Sequence, residues 1–288
     1  MTNASNGTPL IFRKDLGTTL EEQTWNIPDT TADGLPAIVP SEEQKYLFDN
    51  QGWLVIPGVL NEDDTAEMRE FCYRLHRDPQ SIAAAERSPI GGPLRALCDH
   101  PVILGFMNEF VSHPPLATPE CYGFRMESAH LSIRSKGDGG FGPHNGSGLM
   151  RLPGDTHLYN CYPGKAHSGL TCVVWEFNPV EAGDGGTLFV NGSHKSAFRA
   201  PASLQDPASP LWQTYSCPAG SLLIFSEATT HSGTPWTCGE RERVPIFSRY
   251  NSICSKWHRW EPHPELLASM PPQRQTLFRP VYCEANVI

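Results

Sequence analysis

The chain has 288 residues, 39% hydrophobic and 18% charged, with a formal net charge of −9. That is enough apolar material for a buried core and too little charge for a disordered chain. The acidic balance argues against nucleic acid, whose phosphates need clustered Lys and Arg, and no apolar run approaches the ~20 residues that span a membrane.

Residues 1–40 show no periodicity and are interrupted by Pro28, Pro36 and Pro40, which predicts an irregular arm ahead of one domain over 41–288. Ser41 followed by Glu42 and Glu43 reads as a capped helix start. Gln51 to Gly58 reads as a turn and a short buried strand. Asn61 opens a second helix, with Met68, Phe71, Cys72 and Leu75 at helical spacing. Residues 94–111 are predicted as a third helix, carrying Leu97, Val102, Leu104, Phe106 and Phe110. From about residue 120 the pattern changes to strands: 124–133, 170–177, 187–191, 221–226 and 244–250, separated by Gly- and Pro-containing turns. Short strands so punctuated predict an all-β barrel or sandwich. Tyr159 to Gly164, flanked by His157 and His167, is expected as a loop over the site, and the tail after about 256 as a wrap around the body.

The nine cysteines are odd in number and scattered, with no CxxC pair, so reduced, mostly buried thiols are expected rather than disulfides or a zinc site. The polar start, Met1 to Pro9, lacks a signal-peptide pattern and makes a cytoplasmic chain the default; the Asn-Gly-Ser triplets at 145–147 and 191–193 are then chance matches to glycosylation sequons.

Two histidines stand out. His144 lies in the Gly-rich turn Phe141-Gly-Pro-His-Asn-Gly-Ser-Gly148, and His231 sits just past the strand that ends near Ser226. An imidazole at a strand end can point into a barrel mouth, where a metal would sit. A lone histidine is ordinarily only a hydrogen-bonded side chain, but Arg241 and Arg243 follow His231 by ten and twelve residues. Arg243 opens a strand in phase with Pro245 and Phe247, and a buried fork there could bind a dicarboxylate in bidentate fashion. No Gly-x-Ser-x-Gly elbow supports hydrolase chemistry, and Ser147 reads as a turn former.

At this point the chain resembles the phytanoyl-CoA dioxygenase family of iron(II), 2-oxoglutarate oxygenases, over residues 43–251. Tyr46 to Asn61 looks like that family's opening signature. Gly183-Asp-Gly-Gly-Thr-Leu-Phe-Val-Asn-Gly-Ser-His-Lys195 looks like its Gly-Ser-His-Lys strand pair, with Asn191 where Pro is usual. The resemblance implies a mainly β, cupin-like jelly roll, a double-stranded β-helix with flanking α-helices. It implies iron(II) held by His144 and His231, 2-oxoglutarate anchored by Arg243, and Trp175 lining the same cavity. O2 and a small organic molecule would be the other substrates, and His194 would be structural.

One departure matters. The family's first motif is His-x-Asp, completing a facial triad of two His and a carboxylate, whereas this chain reads His144-Asn145-Gly146. Three explanations stay open. Glu227, four residues before His231, supplies the carboxylate; four residues of straight strand span about 13 Å, so the segment must turn or bulge. Alternatively Gly146 leaves a halide position, as in iron halogenases, or the metal site is lost and a cupin-like binding module remains. The chain is similar to a subgroup that reads His-Gly-Gly at the first motif and keeps a Glu at the place of Glu227, with Arg125, Glu127 and His130 on an earlier strand. Glu127 and His130 are three residues apart and face opposite sides of a regular strand, and His130 is the one expected to point inward; Arg125 and Glu127 are in phase and could pair.

Overall fold

The computed structural model describes residues 27–146, 155–162 and 164–282. Helix α1 (Glu42–Gln51) starts as its sequence dictates: the Ser41 hydroxyl accepts from Gln44 N at 3.2 Å and the Gln44 side chain accepts from Ser41 N at 2.9 Å. Asn61 caps α2 (Glu62–Arg77) through a 2.8 Å bond from Asp64 N. The stretch predicted as a single third helix is two pieces, a 3₁₀ turn (Gly92–Leu97) and α3 (Pro101–Phe110). Pro101 has no N–H to continue a helix and belongs in a first turn, so the helix restarts there.

Among the described residues there are nine strands. They are β1 (Trp53–Ile56), β2 (Phe124–Leu131), β3 (Tyr159–Tyr162), β4 (Lys165–Ser168), β5 (Thr171–Glu176), β6 (Gly186–Phe189), β7 (Ser221–Ser226), β8 (His231–Thr234) and β9 (Pro245–Ser252). The large sheet has the order β1-β7-β5-β9-β2, antiparallel throughout. Opposite it, β6 pairs with β8, and single bridges extend that pair at His144–His231 and Phe189–Gln213. The result is the double-stranded β-helix with helices outside it. The expected loop over the site is instead a hairpin, β3 against β4, whose strands satisfy their own backbone groups.

Both faces of the large sheet are covered. Val173, Trp175, Leu222, Ile224, Ile246 and Tyr250 pack outward into the core shared with α2 and α3. Cys172, Val174, Leu223, Phe225 and Phe247 pack inward with Phe189, Tyr215 and Trp236. Strands buried on two sides read as continuous apolar runs, which is why Ser221 to Ser226 shows no polar alternation. In β2 the register shifts between Met126 and Ser128, so Glu127 is the bulged residue. Among the described residues the cysteines are free thiols, and no helix is long and apolar enough to cross a membrane.

Candidate active site

The site forms where the segment ending at residue 146 meets β8. His144 N donates to His231 O at 3.0 Å and His231 N returns to His144 O at 3.1 Å, so the two histidines form a direct antiparallel pair. Their side chains emerge on one face, with ring centroids 4.2 Å apart. Each ring spends Nδ1 on the backbone: His144 on Gly142 O and His231 on Thr229 O, both at 2.8 Å. An imidazole whose Nδ1–H donates to a carbonyl presents the Nε2 lone pair, the tautomer a metal requires. Burial lowers the His231 pKa, against the pull of Glu227, and keeps that ring neutral near pH 7.

Glu227 closes the third side. The chain turns directly after β7, with Thr229 N bonded back to Ser226 O at 2.9 Å, and this turn brings Glu227 Oε2 to 3.6 Å from His231 Nε2. Asn145 Nδ2 donates to the same oxygen at 3.0 Å, and Arg249 Nε donates to Oε1 at 2.8 Å. Burial alone would raise the Glu227 pKa; the neighbouring His231 imidazole, the Arg249 charge and the Arg249 hydrogen bond outweigh it and lower it, so the group is ionised. Asn145 takes φ +61, the one positive-φ non-glycine among the described residues, a conformation Asn tolerates through its short polar side chain.

The pieces fit a cation without being closed around one: among the described residues no set of three His, Cys, Asp or Glu side chains is already gathered as a metal site. The 3.6 Å between Glu227 Oε2 and His231 Nε2 is nevertheless a span that one ion with bonds of about 2.1 Å can bridge. Two imidazoles and a carboxylate are the donor set of a facial triad. Position 146 cannot supply the carboxylate itself. Gly146 has φ +89, and a Cβ there would lie 1.9 Å from Thr230 Oγ1. The same contact places the Thr230 hydroxyl in the space beside Gly146.

Arg243 requires correction. It is inward and fully buried, as its phase with Phe247 predicts, but it is not a free fork: Nη2 and Nε bond Glu176 Oε1 at 2.5 and 3.1 Å, and Nη2 also reaches Tyr215 Oη at 2.8 Å. Its charge is already neutralised by Glu176, which overrides the penalty of burial and pushes its pKa up. Trp175 is also corrected. It lies on the outward face of β5, against His100 and the helices, while Cys172, Val174 and Glu176 face the interior. His130 lies on the same side of the sheet as Phe247, exposed, stacked on its ring at 4.8 Å with Nδ1 3.3 Å from Arg249 Nη1. Glu127 does not pair with Arg125. It is fully buried and accepts from Asn251, Trp257 N and His258 N, pinning the C-terminal segment, while Arg125 bonds the carbonyls of Ser255 and Arg279. His157 is buried, bonds Asp155 and packs edge-on to Trp257. His194 bonds Asp49 O at 2.9 Å, a structural contact. Ser147 lies outside the described residues.

The residues that sequence reading missed are Arg249 and Asn145. Arg249 had a usable signal, since it lies in phase with Arg243 and Phe247 on β9. Asn145 had none, because its partner Glu227 is brought to it only by the tertiary fold.

The phytanoyl-CoA dioxygenase (PhyH) family model matches residues 48–242. No curated protein sequence matches significantly. Among solved structures, HygX from Streptomyces hygroscopicus, with nickel and 2-oxoglutarate bound, superposes with a TM-score of 0.60 at 22% identity, over 77% of this chain and 90% of its own. The 2-oxoglutarate-dependent carbocyclase SnoK of nogalamycin biosynthesis superposes with a TM-score of 0.54 at 18% identity, over 89% of this chain and 97% of its own. The epimerase SnoN of the same biosynthesis gives 0.52 at 17%, over 74% and 83%. The fold is thus shared with oxygenases of diverse outcome, and the family match spans the strands that carry both histidines: the chain belongs to the phytanoyl-CoA dioxygenase family of iron(II)- and 2-oxoglutarate-dependent oxygenases.

Proposed function

We propose that this family member oxidises a small organic substrate in specialised metabolism, by hydroxylation, desaturation or oxidative ring closure, with iron(II) held by His144, His231 and Glu227. The observation that carries the reading is the histidine pair, locked by reciprocal backbone bonds with both Nδ1 atoms committed, beside a buried ionised carboxylate. Structures of HygX with iron, and with nickel, 2-oxoglutarate and hygromycin B, add support from a similar fold. The cofactor pair, when bound, couples conversion of 2-oxoglutarate and O2 to succinate and CO2 with oxidation of the substrate.

The chain's own groups prepare this. Thr229 O and Gly142 O keep the imidazoles in one tautomer and orientation. Asn145 and Arg249 hold Glu227 on two sides, and release of the Asn145 bond would free Oε2 as a ligand. Phe189 and Phe225 flank His231 and exclude water from one side of the site. His130 stands at the mouth, placed to touch keto acid or substrate. Thr230 beside Gly146 favours the carboxylate reading over a halide position.

Anaerobic addition of iron(II) and 2-oxoglutarate is expected to produce a visible charge-transfer band. Glu227→Ala should abolish most of that band and drop turnover by at least ~100-fold, and His144→Ala should abolish iron retention. A full-strength band in Glu227→Ala, or chloride-dependent halogenation by it, would overturn the assignment of Glu227.

A further inference from the structure

Arg243 is occupied by Glu176 and Arg249 by Glu227, and a third arginine, Arg134, faces the same side of the sheet. Arg134 follows β2 and forms a single antiparallel bridge with Arg243: Arg134 N donates to Arg243 O at 3.0 Å and Arg243 N returns at 2.9 Å. Residues directly opposed in such a pair send their side chains to the same face, so Arg134 enters the barrel beside Arg243. Its surroundings agree. Burial and the neighbouring Arg243 charge disfavour its charged form, Glu176, Tyr215 and Asp138 favour it, and neither carboxylate makes an ion pair with it. The one hydrogen bond its side chain makes among the described residues is from Nε to Ser132 Oγ at 3.2 Å. Glu176 is therefore taken by Arg243, and the half-buried Arg134 guanidinium has no carboxylate bonded to it among the described residues. An unpaired cation in a partly desolvated cavity is costly unless a ligand pairs with it.

The position suits a particular ligand. A Cβ built on Gly233 would come within 3.5 Å of Arg134 Nη1, and one on Gly139 within 3.0 Å. Gly233 follows His231 by two residues on β8, on the same strand face and about 7 Å further along. The far carboxylate of a five-carbon keto diacid lies three carbon–carbon bonds of about 1.5 Å from its keto carbon. A diacid chelating a metal at His231 would bring that carboxylate alongside Gly233, where a side chain would block it.

We propose that Arg134 is the anchor for the distal carboxylate of 2-oxoglutarate in this chain, and that Arg243, paired with Glu176, is a positioning residue that holds the floor of the cavity behind it. This rests on the oxygenase reading above, and the test separates the two. Binding of 2-oxoglutarate and of 2-oxopentanoate, the same chain with a methyl in place of the far carboxylate, is measured by calorimetry on manganese(II)-loaded protein. Wild type is expected to prefer the diacid. Arg134→Gln should weaken 2-oxoglutarate by about 10- to 100-fold while leaving 2-oxopentanoate and manganese binding unchanged, so that the preference collapses. Arg134→Lys, which keeps the charge and is the milder change, should lose part of the preference and guards against misfolding of the first variant. If both variants keep the wild-type preference, the assignment of Arg134 is overturned while the oxygenase reading stands. If wild type binds neither keto acid, the oxygenase reading itself fails.

Discussion

Glu176 and Arg243 illustrate what a buried charge requires. Both are fully enclosed, and the pair survives because Tyr215, whose pKa burial pushes far up, stays protonated and donates to Glu176 while accepting from Arg243. Removing one partner leaves the other uncompensated. Glu176→Gln is therefore expected to lower unfolding free energy by about 3–5 kcal/mol in urea titrations, whereas a matched apolar replacement of both should cost far less. An equal loss in the single and the double variants would contradict this. At the same scale, His144 and His231 were legible because a histidine in a Gly-rich turn and another at a strand end are chemically conspicuous. For Arg243 the sequence shows a basic residue at the right interval and cannot show that Glu176, 67 positions earlier, is paired with it.

At the scale of elements, strand parity decides which residues meet the cavity. Alternation places Val173 with Trp175 and Cys172 with Val174, but both faces of β5 are apolar and covered, so no polarity cue says which pair is inside. Trp175 was misplaced for that reason. The 3₁₀ turn around Ser193–Lys195 shows a different consequence of burial. His194 is fully buried, packs edge-on to Tyr159, and leaves Nδ1 without a partner among the described residues. Burial lowers its pKa to about 4, and His100 beside Trp175 is lowered to about 4 in the same way. Between pH 6.5 and 4 the unfolded chain therefore binds more protons than the folded one. Stability should fall as pH falls through that window, by about 3 kcal/mol per histidine at pH 4. Thermal unfolding of His194→Gln across this range should show a shallower acid slope than wild type, and an unchanged slope would refute the attribution.

Across the whole molecule, one buried carboxylate ties distant segments together. Asp99, in the break before α3, accepts from Tyr122 Oη at 2.7 Å, from Ala32 N at 3.0 Å and from Arg274 Nε at 2.7 Å, and Arg274 also reaches Asp33. The N-terminal arm, the helical layer and the C-terminal segment meet at that point. Arg274→Met should cost about 3–5 kcal/mol and expose residues 27–40 to limited proteolysis, with the histidine pair itself undisturbed. By itself the sequence determined the strand-and-turn grammar, the caps at Ser41 and Asn61, and the two imidazoles, because these depend on local spacing and intrinsic chemistry. Only the tertiary structure decided that Glu227 turns back toward His231, that Arg243 is already paired and that Arg134 stands opposite it. Those are matters of which strands adjoin and in what register, and register is set by packing between segments a hundred residues apart.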